Sequence, residues 1–412
     1  MSDPYLRVVA TPTGTHVLFA ARVQHWPFDA MSRHLWTPWG SDRLTDPQSQ
    51  LFERQVRFIT ALHPGWTPDH QHRADTFTLD LRYISRPGAA FVDCVLMGKV
   101  FEADPEKARQ AALELFERLS VVLPPGYGLL PAAEGDFVEW TGEDLAREDQ
   151  DAELPWVEIR RSAELLFWTA RGIPARRLPV VYPFALNPSG WESVWLAQAR
   201  LGRPSLVSGS LSPAFFALND EAVLADLAAD FNAVAAEAQV AVPPHAPPEH
   251  AGQAGTPLSV QAAQFGALYT DYLAALRIPF SMRVVVRGPR AVALAVRTAL
   301  SGPAWPPDET KFPLAVLAEM VEPGAEHAHT VRHNFQRLEQ AHWDPYAPVV
   351  PLAPLLERLP YLVGPTGALS AFRLPLLPAD GLPGVRVGME FKPPAVTSAA
   401  PALKVAPAAA PA

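Results

Sequence analysis

This sequence predicts an α+β fold, two units of mixed sheets and packed helices followed by a disordered C-terminal tail, on three observations. Phe77, Leu79 and Leu81 alternate with Thr78, Asp80 and Arg82, the period of a strand with one apolar face. After Asp104-Pro105-Glu106, the residues Ala108, Ala111, Ala112, Leu115, Leu119 and Val122 recur at helical spacing. Residues 261–300 then read helix, strand, helix.

Taken in order, residues 1–65 carry scattered aromatics (Trp26, Phe28, Trp36, Trp39, Phe58) and one short amphipathic helix over 51–59. The irregular spacing suits core packing or a partner-facing patch better than base stacking, which needs accompanying basic residues. Arg86-Pro87-Gly88 turns the chain from the alternating run into a second strand over 91–100, a hairpin signal. Asp104 supplies an N-cap, Pro105 the first helical position and Glu106 an early acid, all of which start a helix. Acidic residues gather from Glu134 to Glu158, with Glu143, Asp144, Glu148, Asp149, Asp151 and Glu153 among them. That run reads as a solvated linker or loop, since it lacks EF-hand spacing.

A second unit opens over 162–168 and continues with a strand over 204–211. From Asp220, the residues Val223, Leu224, Leu227, Phe231, Val234 and Ala235 form one helical stripe. Prolines 243, 244, 247 and 248 stop regular structure. Ala262, Phe265, Leu268, Tyr269, Tyr272, Leu273 and Leu276 mark the clearest helix, ahead of a strand over 279–286 and a helix over 291–300. The expected division is therefore 1–133, an acidic linker over 134–160, a second unit over 161–391 with a Pro-rich insertion at 242–257, and an Ala/Pro tail over 392–412. A hairpin plus helix near residue 100 and a helix-strand-helix near residue 280 raise the idea of two related halves, although no sequence repeat establishes them.

The 412 residues exceed what one core usually supports. With 49% hydrophobic and 19% charged residues the chain has the apolar content to fold. A net charge of -9 gives no whole-chain footprint for phosphate backbones, so direct nucleic-acid binding is not expected. Arg171, Arg176 and Arg177 flank Gly172 and Pro174 and read as a solvated turn. Cys94, the single cysteine, excludes an internal disulfide and a Cys-based zinc site, and sits in a strand-like run as a buried thiol. No leader and no apolar window of ~20 residues is found, so the expected location is the cytoplasm, with membrane contact only through partners.

Catalytic and cofactor motifs are missing. No window matches G-x-x-x-x-G-K-[ST]; Gly364 to Ser370 lacks a lysine, and Met97-Gly98-Lys99-Val100 lacks a preceding loop. His329 and His333 would share a helix face beside Glu326, but without H-E-x-x-H they read as structural or surface histidines. Ser208 and Ser210 flank Gly209 without a G-x-S-x-G elbow. No catalytic residue, cofactor or metal is therefore assigned.

Toward the C-terminus the chain reads Leu355-Leu356-Glu357-Arg358-Leu359-Pro360, then Gly367-Ala368-Leu369-Ser370-Ala371-Phe372-Arg373-Leu374-Pro375, then Gly381-Leu382-Pro383-Gly384-Val385-Arg386-Val387. This resembles the segment that precedes the motor in HerA/FtsK-type ATPases of conjugation and type IV secretion systems. The 77–123 hairpin and helix, the helix and strand ending in Pro279-Phe280-Ser281-Met282-Arg283, and Trp343 are similar in the same order, so the resemblance spans about residues 70–387. It implies a non-catalytic N-terminal part of a DNA-translocation or secretion machine, with a motor ATPase subunit acting in trans, homo-oligomerisation left open, and Phe372, Arg373, Leu374 and Pro375 as the partner-binding segment. The motor's phosphate loop and magnesium-binding strand do not follow here, so no motor residue carries over. The residues themselves leave two other readings: an enzyme assembled from distant groups such as His333, Glu326 and Ser210, or a structural particle or sheath component.

Overall fold

A computed structural model describes residues 4–27, 31, 47–65, 77–133, 135–142, 154–170, 173–187, 190–217, 219–240, 257–302, 317–347, 352–378 and 381–391. In chain order the strands are β1 (Leu6–Thr11), β2 (Gly14–His25), β3 (Thr78–Ser85), β4 (Phe91–Glu102), β5 (Tyr127–Pro131), β6 (Trp156–Arg160), β7 (Ala163–Ala170), β8 (Ile173–Val181), β9 (Ser205–Pro213), β10 (Phe280–Arg287), β11 (Glu319–Val321), β12 (Leu362–Val363), β13 (Arg386–Val387) and β14 (Met389–Glu390). The helices are α1 (Pro47–Leu62), α2 (Pro105–Val122), α3 (Asp136–Trp140), α4 (Gly190–Arg200), α5 (Asp220–Val240), α6 (Pro257–Ala275), α7 (Arg290–Ala299), α8 (Ala328–Gln336), α9 (Pro354–Arg358) and α10 (Pro365–Ala368). The fold is α+β: a mixed, mainly antiparallel sheet with packed helices. The Pro-rich insertion at 242–256, the acids at 143–153, Phe28, Trp36, Trp39, Arg171 and the 392–412 tail lie outside the described residues.

The main sheet runs β1-β2-β4-β3-β9-β10-β6-β11, with β5 sharing the outer side of β2 with β1. Its connectivity is a repeat. β2-α1-β3-β4-α2-β5 and β6-α4-β9-β10-α7-β11 are both β-α-β-β-α-β units, and each arranges its four strands in the spatial order fourth, first, third, second, the ferredoxin-like arrangement. The halves join through their second strands, β3 and β9, antiparallel from Leu79↔Leu211 to Ser85↔Ser205. The two related halves are thus present in topology although no repeat survives in the letters.

Period-2 alternation explains which side chains meet the helices. Val17, Phe19 and Val23 of β2, Leu79, Leu81 and Tyr83 of β3, Val207 and Leu211 of β9, and Phe280, Met282, Val284 and Val286 of β10 share one core with α1, α2, α4 and α7. The first helix of each half reaches across the join. Trp191 and Trp195 of α4 pack on Tyr83 of β3 at ring distances of 5.3 and 5.5 Å, while His63, just past α1, meets Phe280 of β10 edge-on at 5.2 Å. This reciprocal embrace buries the junction.

Gly98 of β4 shows how tight the core is. A Cβ there would fall 2.0 Å from the Phe19 ring, so the glycine is the floor on which that ring lies. Gly98→Ala should cost ~1 to 3 kcal/mol by overpacking, seen as a lower urea midpoint at unchanged slope.

In the second half, the β6–α4 and β9–β10 connections leave from the same end of the sheet, and both carry insertions. The β7–β8 ribbon and the α5–α6 helix pair pack together in a second core. Phe231 stacks on Tyr269 at 5.5 Å, and the Tyr269 and Tyr272 hydroxyls donate to the Pro179 and Val181 carbonyls at 2.7 Å. Asp104 caps α2 as expected, accepting from the Lys107 amide at 3.0 Å.

Candidate functional site

Two places concentrate polar side chains that the fold goes to some length to hold. The first is the resemblance segment. Phe372, Arg373 and Leu374 are each about 1% exposed and lie inside the helix-side core. A local feature admits them: Gly209 in β9, whose added Cβ would meet the Ala371 carbonyl at 2.9 Å. Side chains from four elements then bind the backbone of this segment. Gln55 of α1 accepts from the Leu374 amide at 3.0 Å, Trp191 of α4 donates to the Ser370 carbonyl at 2.7 Å, Tyr127 of β5 donates to the Pro375 carbonyl at 2.7 Å, and Tyr83 of β3 donates to the Arg373 carbonyl. The Arg373 guanidinium donates to the Asn187 carbonyl at 2.7 Å and lies 4.8 Å from the Phe52 ring centre. Burial pulls its pKa down to about 9, against a small opposing contribution from Tyr83. Phe372, Arg373, Leu374 and Pro375, all buried, therefore tie the two halves together from within.

The second place is the opposite sheet face. Alternation sends Asp80 and Arg82 of β3, Lys99 of β4, Glu158 and Arg160 of β6, Ser208 and Ser210 of β9 and Arg283 of β10 to that side, all buried. Arg82 forks onto Asp80 at 2.8 and 3.0 Å, and Ser208 donates to the other Asp80 oxygen at 2.6 Å. Glu158 is a hub: one oxygen accepts from Arg160 Nε at 2.8 Å and His342 Nδ1 at 2.5 Å, and the other faces Arg283 Nε at 3.7 Å. Burial alone would raise the Glu158 pKa, but the His342 hydrogen bond and the charges of His342, Arg283 and Arg160 outweigh it and hold it at about 2. Glu158, grouped with a solvated acidic run on sequence, is instead a buried strand residue, because Trp156-Val157-Glu158-Ile159-Arg160 alternates into the sheet.

Other candidates fall elsewhere. Ser210 donates to the Arg283 carbonyl at 3.3 Å and Glu326 pairs with His327 at 3.6 Å, and no hydrogen bond or ion pair joins Ser210, Glu326 and His333. His329 and His333 lie parallel on α8, ring centres 6.3 Å apart, and no three His, Cys, Asp or Glu converge among the described residues. Cys94 is buried, and burial pushes its thiol pKa up. Arg176 pairs with Asp230 and Glu237 of α5, and Arg177 sits over Phe167. Sequence reasoning missed β1, β2 and the Glu158 hub. Val17, Phe19, Ala21 and Val23 were the available signal for β2.

These features define a tandem ferredoxin-like α+β protein whose most elaborate polar sites hold its own segments. No helix among the described residues is long and apolar enough to cross a membrane. Comparison with protein-family models and with curated protein sequences finds no match.

Proposed function

We propose that the chain is a non-catalytic assembly component of a DNA-translocation or secretion machine, acting in the cytoplasm with a motor ATPase subunit supplied in trans. One observation carries this reading most directly, the way the C-terminal segment is anchored. After the tie at 372–375 the chain enters the main sheet, with β13 parallel to β4 through Arg386↔Phe91 and Val387↔Val92, and β14 parallel to β2 through Met389↔Gln24 and Glu390↔His25. A load applied at this end passes into the central strands of the first half. In the resembling ATPases this is the end that leads into the motor.

Because Phe372 and Arg373 are enclosed, the contact falls to the exposed continuation. Phe91, Arg386, Val387, Gly388, Met389 and Glu390 line a shallow cavity of about 340 Å³, with the Arg386 guanidinium 6.0 Å from the Phe91 ring centre. In co-expression with the motor ATPase encoded nearest to it, the wild-type chain should retain the motor on affinity capture. Arg386→Glu should weaken retention by ~1 to 3 kcal/mol, the usual cost of losing an interface arginine, with no change in melting temperature. Failure of the wild type to retain the motor, or equal retention by the variant, would refute the docking.

A further inference from the structure

The polar sheet face is covered by α3, whose Trp140 carbonyl accepts from Arg82, and by a strap, residues 325–346, that comprises α8 and the irregular chain after it. Its inner side is regular. Phe335, Glu339 and Trp343 follow at four-residue intervals, and each meets a cation of the sheet. Arg82 lies 3.8 Å from the Phe335 ring centre, Lys99 Nζ is 3.0 Å from Glu339 Oε2, and Arg283 lies 5.0 Å from the Trp343 ring centre. Aromatic faces and carboxylates both attract cations, so the spacing and charge of strap and face are complementary.

Beside these, His342 Nδ1 donates to Glu158 at 2.5 Å and the Phe335 ring packs on Trp156 at 4.9 Å, and three guanidiniums bind the strap's main chain. Arg82 Nη2 donates to the Phe335 carbonyl at 2.8 Å, Arg283 Nη1 to the Glu339 carbonyl at 2.9 Å, and Arg160 Nη1 to the Asp344 carbonyl. Carbonyl recognition does not depend on side-chain identity, so the same guanidiniums suit another chain following the same path. Donors are also left over: Nη2 of Arg283 and Nη2 of Arg160 are buried and make no hydrogen bond. The strap is strained where α8 gives way to the irregular chain. Leu338 has φ 54°, the single positive-φ non-glycine among the described residues, a conformation that bulky side chains rarely adopt and that is found at switch regions.

We propose that this face is a docking site for a partner protein segment of the form aromatic-x3-acid-x3-aromatic, and that the strap is its resident, displaceable occupant. The site lies across the sheet from the 372–375 tie and does not rest on the motor reading. Binding proceeds by exchange, with the incoming segment taking the places of Phe335, Glu339 and Trp343.

The test titrates a fluorescein-labelled peptide of residues 325–346 into the full chain and reads anisotropy. In the wild type the tethered strap competes at an effective concentration on the order of millimolar, so binding should be weak. Phe335→Ala/Trp343→Ala, which weakens only the resident strap, should bind the wild-type peptide about tenfold or more tighter than the unaltered chain does. Glu339→Lys, at a partly exposed position, should give a smaller gain in the same direction. Adding Lys99→Glu to either variant should abolish the gain. Hydrogen exchange on the wild type should show strap amides opening about tenfold or more faster than those of β9. The proposal is overturned by folded strap variants that bind the peptide no better than wild type. It is equally overturned if neither variant folds, if strap and β9 amides exchange together, or if a single-stranded oligonucleotide occupies the opened face in place of the peptide.

Discussion

Replacing Glu158 by alanine should destabilise the protein by ~3 to 5 kcal/mol, the range for breaking a buried ion pair while leaving its partners in place. Arg160 and Arg283 would lose the carboxylate that faces them, and His342 its acceptor. Asp80, already engaged by Arg82 and Ser208, cannot replace it. Urea denaturation at neutral pH measures the loss. The pH dependence supplies a second signature. The folded-state pKa of Glu158, about 2, lies below its ordinary 4.5, so its contribution is complete above about pH 4.5 and is lost as the pH falls from there toward 2. The lost stability amounts to roughly 3 kcal/mol. Glu158→Gln should therefore flatten the acid limb of the stability curve between those values. An unchanged acid limb would show that another carboxylate controls it.

Arg373 is expected to give the other large effect. Arg373→Ala removes the donor to the Asn187 carbonyl and the packing against Phe52, with a loss of ~3 to 5 kcal/mol from the cavity and the orphaned carbonyl together. Arg373→Met keeps an unbranched stem against Phe52, so most of the cavity cost is avoided and the cost of the orphaned Asn187 carbonyl remains. The methionine variant should thus melt well above the alanine variant. Equal melting temperatures would mean that the charge itself, through its carbonyl partners, holds the segment. Either way the position reports on stability, in contrast to Arg386, whose replacement should leave melting unchanged.

Period alone was enough for elements whose two faces differ sharply. The alternation at 77–82 gave a strand, the Arg86-Pro87-Gly88 turn a hairpin, Asp104-Pro105 the start of a helix, and the 261–276 stripe a helix that packs as its apolar face requires. Strands with both faces buried were harder to read. β2 and β6 carry Arg22, Glu158 and Arg160 on the face under α3 and the strap, and charges at alternate positions look solvated until something is known to lie over them. The burial of Phe372-Arg373-Leu374 had the same cause: the string could end at the surface or in the core, and Gln55, Tyr83, Trp191 and Tyr127, far away in sequence, decided for the core. Composition, local periodicity, caps and turns, all set within a few residues, determined the α+β class and most helices. The pairing of β3 with β9, the tandem repeat it creates and the polar face beneath the strap were decided only by the tertiary structure, because each depends on contacts between segments far apart in sequence, such as Leu79 with Leu211 and Arg82 with Phe335, that leave no period in the chain.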